Sequence, residues 1–389
     1  MKETSYTADA KLTSQVIDFL RFPLIMAVVL IHCFGPWEVD VPAIHANPWS
    51  LNAIYNFTRI TFSSVLTQCA VPAFFVISGY LFFLNMKEWD WHTYGRKMRS
   101  RFWSLLVPYV LWICIFVLRV EVFFFGSWLF HDGPAEVMWQ WIVDRGGCKL
   151  LWDSVICDYG DVNWLGKHIV GTCPLISPFW FVRDLMVVSV CTPLLYWLLR
   201  RFRLWVVAVF GLCFISRVFI PVHGFSSMCF LWFSFGAYFS IWGKDLVAAL
   251  YRFCIPAGVV AVLTAMVLVW TWGTHWSPFV GECLRQVSNL YILASVVTII
   301  NLVAYLVREK GIKGSHWLSK TSFVICAAHI MILQCVWPRL VPWVDGVTWR
   351  MFVSFPCVPA FVVGVCLAFY WFMERIAPRL LSLLTGNRR

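Results

Sequence analysis

Apolar residues in this chain gather into ten long runs, at 16–35, 60–84, 103–125, 178–199, 204–221, 225–242, 253–272, 286–307, 321–338 and 354–374, with short polar stretches between them. About 20 apolar residues at 1.5 Å per residue cross a hydrocarbon layer of about 30 Å, so each run predicts a membrane-spanning helix. The polar stretches differ in charge. Arg96, Lys97, Arg99 and Arg101 follow the second run, Arg200, Arg201 and Arg203 the fourth, Lys244 and Arg252 the sixth, Arg308, Lys310, Lys313 and Lys320 the eighth, and Arg375, Arg379, Arg388 and Arg389 the tenth. All follow even-numbered runs, which predicts cytoplasmic termini. The expected fold class is all-α: a polytopic membrane helical bundle of about ten transmembrane helices, forming one integral membrane domain over residues 1–389. The longest connection, 127–177, falls on the opposite side and reads as an extracytoplasmic loop too long for a simple connector. Its Trp residues and its acids Asp132, Glu136, Asp144, Asp153, Asp158 and Asp161 suit a sugar acceptor, although interfacial Trp belts give the same pattern.

Composition supports the membrane reading. The chain is 60% hydrophobic, 18% aromatic and only 13% charged, with a mean hydropathy of +0.74, outside the range of soluble globular domains. A formal net charge of +11 raises the question of nucleic acid, but the basic residues lie in short clusters between apolar runs and topology accounts for them; no nucleic-acid partner is expected. Residues 1–14 are polar and no small-residue cleavage site follows the first run, which predicts that this run is retained. Most of the fifteen cysteines fall within apolar runs, where they pack as small apolar groups. With no CxxC pair and no histidine at zinc-ligand spacing, no metal is expected.

Ionisable groups inside apolar runs are costly and concentrate where there is a task. Asp18 and Arg21, three residues apart, share a helix face, and His32 lies three turns further on, about 16 Å along the axis. Histidine can accept a proton at neutral pH without prior tuning, so His32 is the candidate base; a histidine hydrogen-bonded in the core is the competing reading. Further groups in or beside the runs are Arg59, Arg119, Arg183, Asp184, Arg217 and His329. Before the third run, Arg96 and Arg99 place two guanidinium forks on one side of a helix start, suited to phosphate oxygens. Anchoring to anionic lipid would produce the same cluster.

These residues occur in a recognisable order. Arg21 and His32 with ten residues between them, the preceding IDFLR, VPAFFVISGYLFF at 71–83, RKMR at 96–99 followed by FWSLLVPYVLW, FWFVRDL at 179–185 and SFVICAAH at 322–329 together resemble the acyltransferase type 3 family of integral membrane enzymes, over nearly the whole chain. The resemblance implies an O-acetyltransferase of the bacterial inner membrane. It would move an acyl group, usually acetyl, from cytoplasmic acetyl-coenzyme A or another acyl-coenzyme A to a hydroxyl of a glycan or other small acceptor outside. It implies His32 as catalytic base, with Arg21 and Asp18 beside it in the catalytic set. Arg96, Arg99 and Arg101 would bind the coenzyme A phosphates, and His329, Arg183, Asp184, Arg119 and Arg217 would be substrate-side candidates. Phe75, Ser78 and Gly79 match the family's FFxxSG stretch, where the glycine suits close helix packing. His329 matches a family histidine, whereas Cys326 and Ala327 stand where Tyr and Leu are common. The competing class is a transporter without a covalent step; against it, the halves show no inverted repeat. A purely structural or sensory protein leaves the Arg21/His32 spacing and the RxxR cluster without a joint purpose.

Overall fold

The structure, a computed structural model, describes residues 2–33, 47–86, 88–131, 149–153, 155–162, 168–216, 223–274, 276–344 and 347–386. Among the described residues, helix is found in each of the ten predicted stretches. Seven of the described helices are long and apolar enough to cross a membrane, or eight if the bent pair Ser177–Val190 and Thr192–Phe202 counts as one span; Leu204–Ile215 and Ser227–Ile241 are apolar but shorter. Many large apolar side chains on these helices are solvent-exposed, among them Trp205, Ile255, Leu263, Met266 and Trp270. That is the pattern of surfaces made for lipid.

The chain forms two compact units, one of Met1–Met86 with Phe235–Phe369, the other of Lys87–Ser234 with Tyr370–Arg389. In the first unit, α1 (Lys2–His32) packs against a long helix that starts as α2 (Leu51–Arg59), passes through a π-helical turn (Ile60–Val65) and a 3-10 turn (Leu66–Cys69), and continues as α3 (Ala70–Phe83). The irregular turns have a local cause. Pro72 cannot donate to the carbonyl of Gln68 and its ring crowds that group, so the helix changes pitch before it. The hydroxyls of Thr58, Thr61 and Thr67 bond back to the carbonyls of Ile54, Phe57 and Ser63, each at 2.8 Å, which loosens the regular ladder further. In the second unit, α4 (Trp91–Arg101) reaches α5 (Val107–His131) through another π-helical turn, Phe102–Leu106, just ahead of Pro108.

The second unit differs from the sequence expectation in two places. The fourth predicted span breaks between α7 (Trp180–Val190) and α8 (Thr192–Phe202), with a bend of 66°. Pro193 would clash with the carbonyl of Ser189, and that carbonyl instead accepts the Thr192 hydroxyl at 2.7 Å. Within the predicted loop at 127–177, helix persists to His131, a short helix α6 (Lys149–Trp152) follows, and an antiparallel hairpin pairs β1 (Val155–Val162) with β2 (His168–Cys173). Asp132, Glu136 and Asp144 lie outside the described residues.

Two glycines let backbones meet in the first unit. A Cβ on Gly314 would come within 2.9 Å of Phe19 Cα, one turn before Pro23, which seats the start of α14 (His316–Val344) on α1. The two helices also meet at His32 and His329, thirteen residues beyond Phe19 and fifteen beyond Gly314, so they run parallel. A Cβ on Gly236 would press on the carbonyl of Val76, 2.8 Å from its carbon and 3.0 Å from Tyr80 N. The facing helix thus approaches α3 closely at Val76 and Tyr80, and Ser240 secures the contact by donating to Tyr80 O. Gly236→Ala is expected to cost about 1–3 kcal/mol through overpacking; an unshifted thermal midpoint in detergent would contradict the approach.

Candidate functional site

Three groups of candidate residues are assembled, one in the first unit and two in the second. In the first, α1 carries Asp18, Arg21 and His32. Arg21 Nη1 lies 3.2 Å from Asp18 Oδ1, and both side chains are partly exposed. Such a pair adds little stability; its effect is to fix where the guanidinium points. Asp18 is thus the partner of Arg21 and not of His32, which sits three turns away. His32, the last residue of α1, is half-buried and faces His329 from α14, with ring centroids 5.2 Å apart and planes tilted by 44°.

His329 is fully buried. Its Nδ1 lies 2.8 Å from the Ile325 carbonyl, and a carbonyl only accepts, so Nδ1 carries the proton and Nε2 carries the lone pair. Among the described residues Nε2 has no hydrogen-bond partner; nor does the buried hydroxyl of Ser322, two turns earlier on the same helix face. Unsatisfied acceptors in a dry interior cost about 1–3 kcal/mol each and mark positions where a ligand or a moving side chain completes the bonding. Arg59, in the same unit, is fully buried, with its guanidinium 5.6 Å from the centre of the Tyr55 ring.

The second group is the basic helix α4 of the second unit. Asp90 caps it, accepting from His92 N at 3.1 Å and Thr93 N at 2.8 Å. Hydrogen bonds from the Thr93 side chain and from these backbone N–H groups hold the Asp90 carboxyl below the usual carboxylate range, so it caps as an anion at neutral pH. Tyr94 docks α4 by donating to Val190 O at 3.3 Å. This turns Thr93, Tyr94, Lys97 and Met98 inward and leaves Arg96 and Arg99 exposed side by side, with Arg101 half-buried. Among the described residues neither Arg96 nor Arg99 has a carboxylate within salt-bridge distance.

The third group is Arg183 and Asp184 at the start of α7, both buried. Arg183 Nε and Nη2 each lie 3.1 Å from Asp184 Oδ1, and Nη1 donates to the carbonyls of Trp152 and Thr172, each at 2.9 Å. The guanidinium therefore ties α6 and the end of β2 to α7. Near it, His223 Nδ1 meets Asp153 Oδ2 at 3.3 Å, and Trp152 Nε1 donates to His223 O. Arg119, on α5, lies over the Phe116 ring at 5.0 Å, and Arg217 lies outside the described residues.

Comparison with known proteins gives a consistent picture. The family model described as an acyltransferase domain, the acyltransferase type 3 model, matches residues 15–371. The succinoglycan biosynthesis protein ExoH of Rhizobium meliloti (strain 1021) is 25% identical over 98% of this chain and 94% of its own length. No solved structure matches the chain.

Proposed function

Because the chain belongs to the acyltransferase type 3 family, and is therefore a membrane acyltransferase, we propose that it moves an acyl group, acetyl as the first candidate, from cytoplasmic acyl-coenzyme A to a hydroxyl of an extracytoplasmic glycan. The observation that carries this reading is the contact of His32 with His329 inside an apolar helical unit, on the helix that also bears Asp18 and Arg21. A glycan acceptor is supported by the similarity, over nearly the full length of both chains, to a protein of succinoglycan biosynthesis. The basic clusters after even-numbered runs support cytoplasmic termini in the bacterial inner membrane, with the donor met from that side.

The chemistry asks for few groups. The acceptor oxygen attacks the thioester carbonyl, a C–O bond forms and the C–S bond breaks, and the hydroxyl proton passes to the thiolate. His32 takes that proton and returns it. Arg21, three turns back on α1 and oriented by Asp18, offers a guanidinium from the same helix, and Arg96, Arg99 and Arg101 offer guanidinium forks to the donor's phosphates.

Exchange of Arg96 and Arg99 for Ala is expected to raise KM for acyl-coenzyme A roughly ten- to hundredfold, the loss of one or two charge-assisted hydrogen bonds. Thiol release by the purified full-length protein, with glycan acceptor present, measures it. An unchanged KM would assign the two arginines to lipid anchoring, and absence of any acceptor-dependent thiol release would remove acyl-coenzyme A as donor.

A further inference from the structure

We propose that His329 is a positioning residue for His32: its Nε2 accepts the N–H of the His32 ring, which leaves the other ring nitrogen of His32 as the lone pair that meets the acceptor hydroxyl. The inference rests on the reading of His32 as the base and adds to it a fixed tautomer and a second residue.

The geometry points the same way at each step. Ile325 O accepts from His329 Nδ1 at 2.8 Å, so His329 has one proton position and one direction for its lone pair. That lone pair is buried and has no partner among the described residues, while the ring beside it is His32. Two imidazoles joined by an N–H···N bond have centroids a little over 5 Å apart, from about 3 Å between nitrogens and about 1.1 Å from each centre to its nitrogen. The observed separation is 5.2 Å. What is missing is alignment, and His32 is free to supply it. It is the last helical residue of α1 and only half-buried, whereas His329 is enclosed. Hydrogen bonds of catalytic groups are often misaligned without substrate and close in the reacting complex.

The arrangement also answers an electrostatic need. When His32 takes the hydroxyl proton, an imidazolium forms within an apolar bundle. Among the described residues no carboxylate pairs with His32, and the Asp18–Arg21 pair lies three turns back on the helix. A charge-assisted N–H···N bond to His329 is the stabilisation at hand. The proton balance is simple. The hydroxyl proton enters at the outer nitrogen of His32 and leaves from it to the thiolate, the N–H bonded to His329 stays in place, and His329 remains neutral.

The test uses the full-length protein with acyl-coenzyme A and glycan acceptor, and compares His32→Ala, His329→Asn and His329→Gln. Asn keeps a donor near the Nδ1 position for Ile325 O but has no acceptor where Nε2 was; Gln can place an amide oxygen there. The expected result is a fall in kcat of roughly 10–100-fold for His329→Asn with both KM values within about twofold, and recovery to within about fivefold of the parent for His329→Gln. A raised acceptor KM with unchanged kcat would make His329 a substrate-binding residue and overturn the proposal, as would equal losses in kcat for Asn and Gln. If His32→Ala is inactive while His329→Asn keeps the parent kcat, only this inference falls. If His32→Ala remains active, the assignment of the base falls first.

Discussion

Replacement of His32 by Ala is expected to lower acyl transfer roughly 10²–10⁴-fold, the range spanned by a positioned general base, while the protein stays in the membrane at its normal level. The separation of activity from stability follows from position. His32 ends α1 and is half-buried, and the packing of that helix rests on Val16, Ile17, Leu20, Leu24, Ile25 and Val29, all buried, with Thr13 donating to Asp245 at 2.7 Å at the other end. Removal of the imidazole leaves these contacts intact. The variant's kcat, thermal midpoint in detergent and membrane abundance are measured together; a retained kcat contradicts the assignment, and a lost midpoint makes the residue structural.

The second large effect is on stability. Replacing Arg183 by Met is expected to destabilise the second unit by about 3–5 kcal/mol, the cost of breaking a buried ion pair from one side. Asp184 would be left as a buried carboxylate without its partner, and the carbonyls of Trp152 and Thr172 would lose their donor. Changing Asp184 to Leu together with Arg183 to Met is expected to recover part of the loss, because no unpaired charge remains. Thermal unfolding of the detergent-solubilised protein checks both. If the double variant is no better than the single one, the carbonyl bonds from Arg183 dominate over the charge pair. An unshifted midpoint for Arg183→Met would show that the guanidinium does not hold α6 and the hairpin to α7.

Much of this architecture is written in local pattern. The apolar runs mark the helices because a spanning helix needs about 20 apolar residues whatever its neighbours do, and the pairing of Asp18 with Arg21 follows from a spacing of three on one helix. Arg96 and Arg99 share a face for the same reason, and Asp90 caps their helix from the residues immediately around it. What could not be read is what depends on residues far apart in the chain. His329 reaches His32 through the packing of α14 on α1, two helices nearly three hundred residues apart in the chain, so neither histidine carries a sequence signal for the other. The partners of Arg183 are two backbone carbonyls, and a carbonyl leaves no trace in side-chain identity. The hairpin at 155–173 carries little sequence signal because its strands, VICDYGDV and HIVGTC, lack a clean alternation of apolar and polar residues. The break after Val190 was legible in principle from Pro193, but an apolar run continues on both sides and hides it.

The most direct test of the central claim is mass spectrometry of the acyl groups on cell-surface glycans. It compares cells lacking this protein with cells complemented by the unaltered chain or by His32→Ala at matched membrane levels. The account predicts that one class of acyl substituent disappears with the protein, returns with the unaltered chain and does not return with His32→Ala. Equal restoration by both chains would contradict the catalytic role of His32, and no change in any acyl group would contradict acyl transfer to glycan.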